Sequence, residues 1–181
     1  INSRNVNLTS SFSELKKTIS VSKNPQNTLA LANTRSRLRM ATLYYYASIN
    51  NYLVVGTGNK VEDFGVGFYT KYGDGGVDIS PIADLMKSEV RNIAKEMGII
   101  NEIIIAKPTD GLWDDTRTDE EQIGASYDEL EWAMQELEKN NSSDLSIRQK
   151  EVVSILKKLN KQNSHKMNPI PVCEIPEKLR N

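Results

Sequence analysis

The sequence predicts an α/β fold built on a parallel sheet, and three observations carry the prediction. Two short runs, YLVVGT at 52–57 and EIIIAKP at 102–108, are apolar without alternation, as strands buried on both faces are. Segments with helical spacing of apolar residues stand before, between and after them. The order strand, loop, helix, strand, helix is that of a crossover connection. With 181 residues, 38% hydrophobic and 26% charged, the chain is long enough for a single domain over 1–181 with a real core.

In chain order, "NVNLT" reads as a short strand. Residues 11–22 read as a helix, with Ser11 as cap, Glu14 three residues on, and Leu15 and Ile19 on one face. "VSKNPQN" is a loop. Residues 28–49 lack Gly and Pro and carry Ala, Leu, Met and Tyr at helical spacing, which predicts a long helix. After the first strand, "GNKVEDFGVGFYTKYGDGGVDIS" holds six of the ten glycines, and a long ordered loop of this kind usually serves function. The next helix is expected to start at Ser80 with Pro81 in its first turn and to end at Gly98. After the second strand comes an acidic loop with room for one helical turn. Ser126 with Glu129, and Ser146 with Gln149, are capping boxes for two further helices. The proline-rich tail over 163–181 is expected to be irregular.

The net charge of −1 hides a segregation: residues 1–50 sum to +6, residues 111–140 to −8 and residues 141–181 to +4. Such a pattern fits an anionic ligand held among basic groups, or simply solvated helix faces. The near balance argues against a nucleic-acid binder, and no apolar run reaches the roughly 18 residues of a membrane span. The single cysteine, Cys173, excludes an internal disulfide and a multi-cysteine metal site.

In open parallel sheets ligands bind beyond the carboxyl ends of the strands. There the first strand offers Gly56-Thr57-Gly58-Asn59 with Glu62 just beyond, and the second offers Lys107-Pro108-Thr109. Neither is a Walker loop or a GxGxxG turn. Lys71, Asp74 and Asp78 bracket Gly73, Gly75 and Gly76, which suits an anion-binding lid as well as a tight turn. On the long helix Arg35 and Arg39 share a face and Arg37 points away, either to hold a phosphate or carboxylate or to meet solvent. Glu62 alone is a surface acid; beside a second carboxylate and phosphates it could hold Mg²⁺. Lys87 and the His165-Lys166 pair have ordinary solvated readings.

The strings NTRSRLRM, VVGTGNKVE, GFYTKYGDGGVDISPIADLMKSEV, KPTDGLW, DEEQIGASYDEL and the late HK occur in the order and spacing of NAD synthetases, and the chain resembles the ammonia-dependent type over about residues 28–166. TKYGDGG with its downstream Asp, Pro and Lys is the most specific part. The resemblance implies a Rossmann-like, adenine nucleotide alpha hydrolase-like parallel sheet with helices on both faces. It implies a ligase that amidates deamido-NAD (nicotinic acid adenine dinucleotide) to NAD with ATP and ammonia, through an adenylate, releasing AMP and pyrophosphate. Mapped by motif, Arg37, Lys71, Asp78, His165 and Lys166 would contact deamido-NAD. Thr57, Lys87 and Thr109 would contact ATP, and Glu62 would bind Mg²⁺. The resemblance also implies a homodimer and a cytoplasmic location; the Tyr-rich stretch Leu43, Tyr44, Tyr45 and Tyr46 of the long helix offers either the pairing surface or ordinary core packing.

Three departures stand out. The Glu62–Lys71 stretch is a residue longer than in some relatives, and Asp110-Gly111 replaces a common Ala-Asp pair. The family's SGGxDS phosphate loop, whose Asp is a second Mg²⁺ ligand, is absent. The expectation is therefore the C-terminal two-thirds of a synthetase domain, lacking its N-terminal strands and inactive alone. The alternatives are a non-catalytic nucleotide-binding or dimerisation module and the synthetase domain of a glutamine-dependent enzyme. A GMP synthetase or tRNA-thiolating relative is disfavoured by TKYGDGG.

Overall fold

The computed structural model describes residues 3–19, 26–113, 115–139 and 144–180. Helix α1 spans Thr9–Thr18 and α2 spans Gln26–Asn50. A π-helix covers Val61–Val66. Then follow α3 at Lys87–Glu96, the short α4 at Asn101–Ile104, α5 at Asp119–Ile123, α6 at Tyr127–Glu138 and α7 at Ile147–Met167. A 3₁₀ turn at Glu177–Leu179 lies in the tail. The expected loop at 21–27 and the end of the expected first helix fall mainly outside the described residues.

The parallel sheet is not formed among the described residues. Only one parallel bridge, Val55 with Ile79, marks the place of the first expected strand. At the second, Ile103 N–H donates to the Ile100 carbonyl and Ile105 N–H to that of Asn101, so the backbone turns as α4. A strand without neighbours leaves its N–H and C=O groups unpaired, and a local turn satisfies them. Ile103 and Ile105 stay 64% and 67% exposed as a result. The expected "NVNLT" strand is irregular as well.

Three helix boundaries also differ. α1 starts at Thr9, whose N–H is accepted by the Asn7 side chain, so Ser11 lies inside it. α3 starts at Lys87, not at Ser80. Residues 81–85 form turns because the Ile79 and Leu85 carbonyls accept from Gly56 and Lys60 N–H. α7 runs on to Met167, so His165 and Lys166 are helical rather than part of an irregular tail. Both expected capping boxes are present, Ser126 with Glu129 and Ser146 with Gln149.

The core lies between the π-helix, α6 and α7. Val61, Val66, Ile123, Tyr127, Leu130, Ala133, Val152 and Leu156 are buried there, with Met86 just ahead of α3. α2 packs through small residues, Ala32, Ser36 and Ala47. Among the described residues no helix is long and apolar enough to cross a membrane.

Candidate active site

The π-helix opens the stretch that follows Asn59, and single π turns of this kind recur at functional sites. Asn59, 1% exposed, starts it: its side-chain oxygen accepts from Val61 and Glu62 N–H at 3.0 and 3.2 Å. Asn59 N–H in turn donates to Glu62 Oε2 at 3.2 Å. The wide turn leaves carbonyls to be met from outside. Asn160 donates to the Phe64 and Gly65 carbonyls, Asn163 to that of Val66 at 2.8 Å, and Lys166 to those of Gly67 and Tyr69 at 2.8 and 2.7 Å. One polar stripe of α7 thus holds residues 64–69 in place.

Glu62 points from the π-helix toward α3 and α6. Its Oε1 accepts from Lys87 Nζ at 3.0 Å and from the Tyr127 hydroxyl at 2.6 Å, and the Lys87 ammonium sits 4.9 Å over the Tyr127 ring. Burial, with the negative charge of Glu62 next, pushes the Tyr127 phenol far above its ordinary range, so it is a donor throughout. Asp119, only 7% exposed, stands in the same field. One of its oxygens has no hydrogen-bond partner among the described residues, and burial lifts its carboxyl to about 6. Its N–H donates to the Pro108 carbonyl at 3.0 Å and so anchors the loop of Thr109. Arg39 holds the same loop by the Asp110 and Gly111 carbonyls.

A cavity of about 230 Å³ opens beside Glu62. Gly56, Thr57 and Gly58 form one wall, Phe64, Phe68 and Tyr69 another, and Asp63 and Asp74 add carboxylates. Burial, with Glu62 beside it, raises Asp63 to about 6. Thr57 is exposed at the cavity wall.

The other group of expected residues converges on the glycine loop. Arg37 Nε donates to the Lys71 carbonyl at 3.2 Å, and Lys71 Nζ donates to the His165 carbonyl. Burial lowers the pKa of Lys166, whose ammonium faces the two carbonyls named above. Asp78 accepts from Val54 N–H at 2.7 Å and from the Tyr44 hydroxyl at 3.0 Å, which ties the two sides of the Val55–Ile79 bridge. The loop itself is pinned rather than open. Ser36 Oγ, 3% exposed, donates to Asp74 Oδ1 at 2.6 Å and accepts the Asp74 N–H at 2.9 Å, while Thr70 Oγ1 donates to Asn33 at 2.7 Å.

Thr57 and Glu62 therefore line one cavity, with Lys87 bound to Glu62, and Arg37, Lys71 and the His165 carbonyl form a second cluster on the glycine loop. Thr109 does not line this cavity; its neighbour Pro108 accepts the Asp119 N–H. Tyr127, Asp119 and Ser36 were not singled out from the sequence, and Asn59 was named only as part of the strand-end run. Only Asn59 carried a signal, its place in GTGN.

The sequence profile of the family described as NAD synthase matches residues 1–170. An NH(3)-dependent NAD(+) synthetase of Mesoplasma florum is 45% identical over 126 residues, 70% of this chain and 51% of that protein. That of Carboxydothermus hydrogenoformans is 40% identical over 148 residues, 82% of this chain and 55% of that protein. Among solved structures, the NMN synthetase from Francisella tularensis superposes with a TM-score of 0.77 at 27% identity, over 94% of this chain and 66% of that one. The chain spans about half the length of the curated relatives it matches. A profile match over nearly the whole chain, with relatives this similar, means that the chain belongs to the NAD synthase family.

Proposed function

We propose that this chain carries the dinucleotide- and nucleotide-contacting part of an ammonia-dependent NAD synthetase. The observation that supports it most is the Glu62–Lys87 contact at the cavity edge, with Arg37, Lys71 and His165 gathered on the adjoining glycine loop. In this reading Thr57, Lys87 and Thr109 hold ATP, and Arg37, Lys71, Asp78, His165 and Lys166 hold deamido-NAD.

The nicotinate carboxylate attacks the α-phosphate of ATP, the bond to the β-phosphate breaks, and pyrophosphate leaves. Ammonia then adds to the activated carbonyl, loses a proton and displaces AMP. Lys87 faces the charge that grows on the pyrophosphate, and Arg37 and Lys71 offset the dinucleotide phosphates. Glu62 fits Mg²⁺: it is a hard oxygen donor at the cavity wall, and Oε2 accepts a single bond from Asn59. Among the described residues no group of three or more His, Cys, Asp or Glu could hold an ion unaided. That suits a cation bound through one or two carboxylates together with phosphates and water. When bound, Mg²⁺ would supply charge neutralisation on the phosphates.

In this reading the runs at 52–57 and 102–108 take strand positions once neighbouring strands of a complete domain are present, and the SGGxDS cradle comes from the same source. The exposed face of Tyr45 and Ile49, one turn apart on α2, suits pairing with a second copy. The cytoplasm is the compartment this reaction implies.

The overall likeness to an NMN synthetase favours a second reading, with a mononucleotide acceptor in place of the dinucleotide. The test is to assay the chain alone, and joined to an upstream segment bearing an SGGxDS loop, with ATP, Mg²⁺, ammonium and either acceptor. NAD, AMP and pyrophosphate from the joined form alone are expected. NMN instead would establish the second reading, and neither product would end both. Glu62→Ala in the active form is expected to reduce turnover by about 10²-fold.

A further inference from the structure

We propose that Tyr127 is a positioning residue for Glu62, setting the plane of its carboxylate; the inference rests on the Mg²⁺ role given to Glu62 above. Tyr127 is 0% exposed and does not line the cavity, so it acts only through its neighbour. Its hydroxyl donates to Glu62 Oε1 at 2.6 Å, and Lys87 donates to the same oxygen at 3.0 Å. A carboxylate oxygen accepts about two bonds, so Oε1 is filled. Oε2 accepts one bond, from Asn59 N–H at 3.2 Å, and keeps acceptor capacity beside the cavity that Glu62 lines.

The three donors differ in stiffness. Lys87 is a long, partly exposed side chain that can leave Oε1 for a phosphate. The Tyr127 ring is wedged in the core with Leu130, Ile123 and Val152, and its backbone is fixed by the capping box of α6 and by its N–H to Glu120 at 2.9 Å. Packing requires only the ring, which phenylalanine would supply. The hydroxyl adds direction: it holds Oε1 back when Lys87 turns away, so that Oε2 remains the oxygen presented to the cation.

The experiment measures ATP affinity of the chain joined to an upstream segment bearing the SGGxDS loop, by isothermal titration calorimetry, in Mg²⁺ and in EDTA. The proteins are wild type, Tyr127→Phe, Glu62→Ala and the double variant. In Tyr127→Phe the factor by which Mg²⁺ tightens ATP binding is expected to fall about tenfold, as for other partners of metal ligands. Affinity in EDTA should stay at the wild-type value, and Tyr127→Phe should add nothing in the Glu62→Ala background. An unchanged factor, an equal loss in EDTA, or the same loss without Glu62 would each overturn the positioning role while leaving the metal role of Glu62 standing. A wild-type joined form whose ATP affinity ignores Mg²⁺ would remove the metal role itself.

Discussion

Lys87 and Glu62 meet at 3.0 Å with their side chains only 22% and 14% exposed, so two groups suited to phosphate and cation neutralise each other at the cavity edge. A pair this sheltered differs from a solvated surface pair, because each charge has given up most of its water. Losing one partner strands the other.

Lys87→Met is therefore expected to lower stability by about 2 kcal/mol, since Glu62 stays largely desolvated with Tyr127 and Asn59 as its donors. Glu62→Met should cost a similar amount, and the double variant clearly less than the sum of the two. Urea denaturation of the four proteins measures this. Strictly additive losses would mean that the two side chains do not pair in solution.

Ser36→Ala tests the pinning of the glycine loop. The hydroxyl is buried and makes two bonds to Asp74, one in each direction, across from α2. Removing it leaves Asp74 Oδ1 with the Thr70 N–H at 3.1 Å and leaves the Asp74 N–H without that acceptor. A loss of about 1–2 kcal/mol is expected, with faster proteolysis within 70–76. An unchanged melting temperature and cleavage rate would show that the loop is held by other contacts.

Features encoded within a few residues were legible in the sequence, and features that need distant partners were not. The boxes at Ser126 and Ser146 close over three residues, and both form as read. The apolar runs at 52–57 and 102–108 say only that a strand would be buried if it had neighbours. Here the first makes one bridge and the second coils into α4. Glu62, Lys87 and Lys71 were found through motifs. Tyr127 was not, because nothing local tells that a ring behind a capping box reaches a carboxylate 65 positions away in the chain. Helical continuation through His165 was likewise hidden. It depends on Asn160, Asn163 and Lys166 meeting carbonyls nearly 100 positions earlier, among them those of Gly65, Val66 and Gly67.

The joint between α6 and α7 should respond to acid. Arg148 donates to both Glu129 oxygens at 2.7 and 2.8 Å and holds that carboxyl down from 4.5 to about 2. A carboxyl depressed on folding adds stability above its unfolded value, and the gain disappears as pH falls toward the folded value. Glu129 is about one-third exposed, so solvent screens much of the effect. Glu129→Gln should lower the melting temperature by a few degrees at neutral pH. The gap to wild type should close between 4.5 and about 2. A gap that persists at the acid end would assign the loss to the Ser126 cap rather than to the ion pair.

Gly67 and Gly98 both sit at positive φ, +64° and +71°, yet they differ in surroundings. A Cβ at Gly98 would meet nothing within 4 Å. At Gly67 it would lie 2.7 Å from Met167 Cε and closer still to Asn163 Cβ. Gly98→Ala therefore isolates the backbone penalty, about 1 kcal/mol. Gly67→Ala carries that penalty and also pushes α7 away where Asn163 and Lys166 hold the Val66 and Gly67 carbonyls at 2.8 Å. A total of about 3 kcal/mol is expected from strain and overpacking together. Hydrogen exchange should rise at the end of α7 in Gly67→Ala alone, because the last turn loses its anchor and with it the contact of Lys71 with the His165 carbonyl. Equal losses for the two variants, with α7 protected in both, would mean that α7 does not press on the glycine loop and that the Lys71–His165 cluster is held by α2 instead.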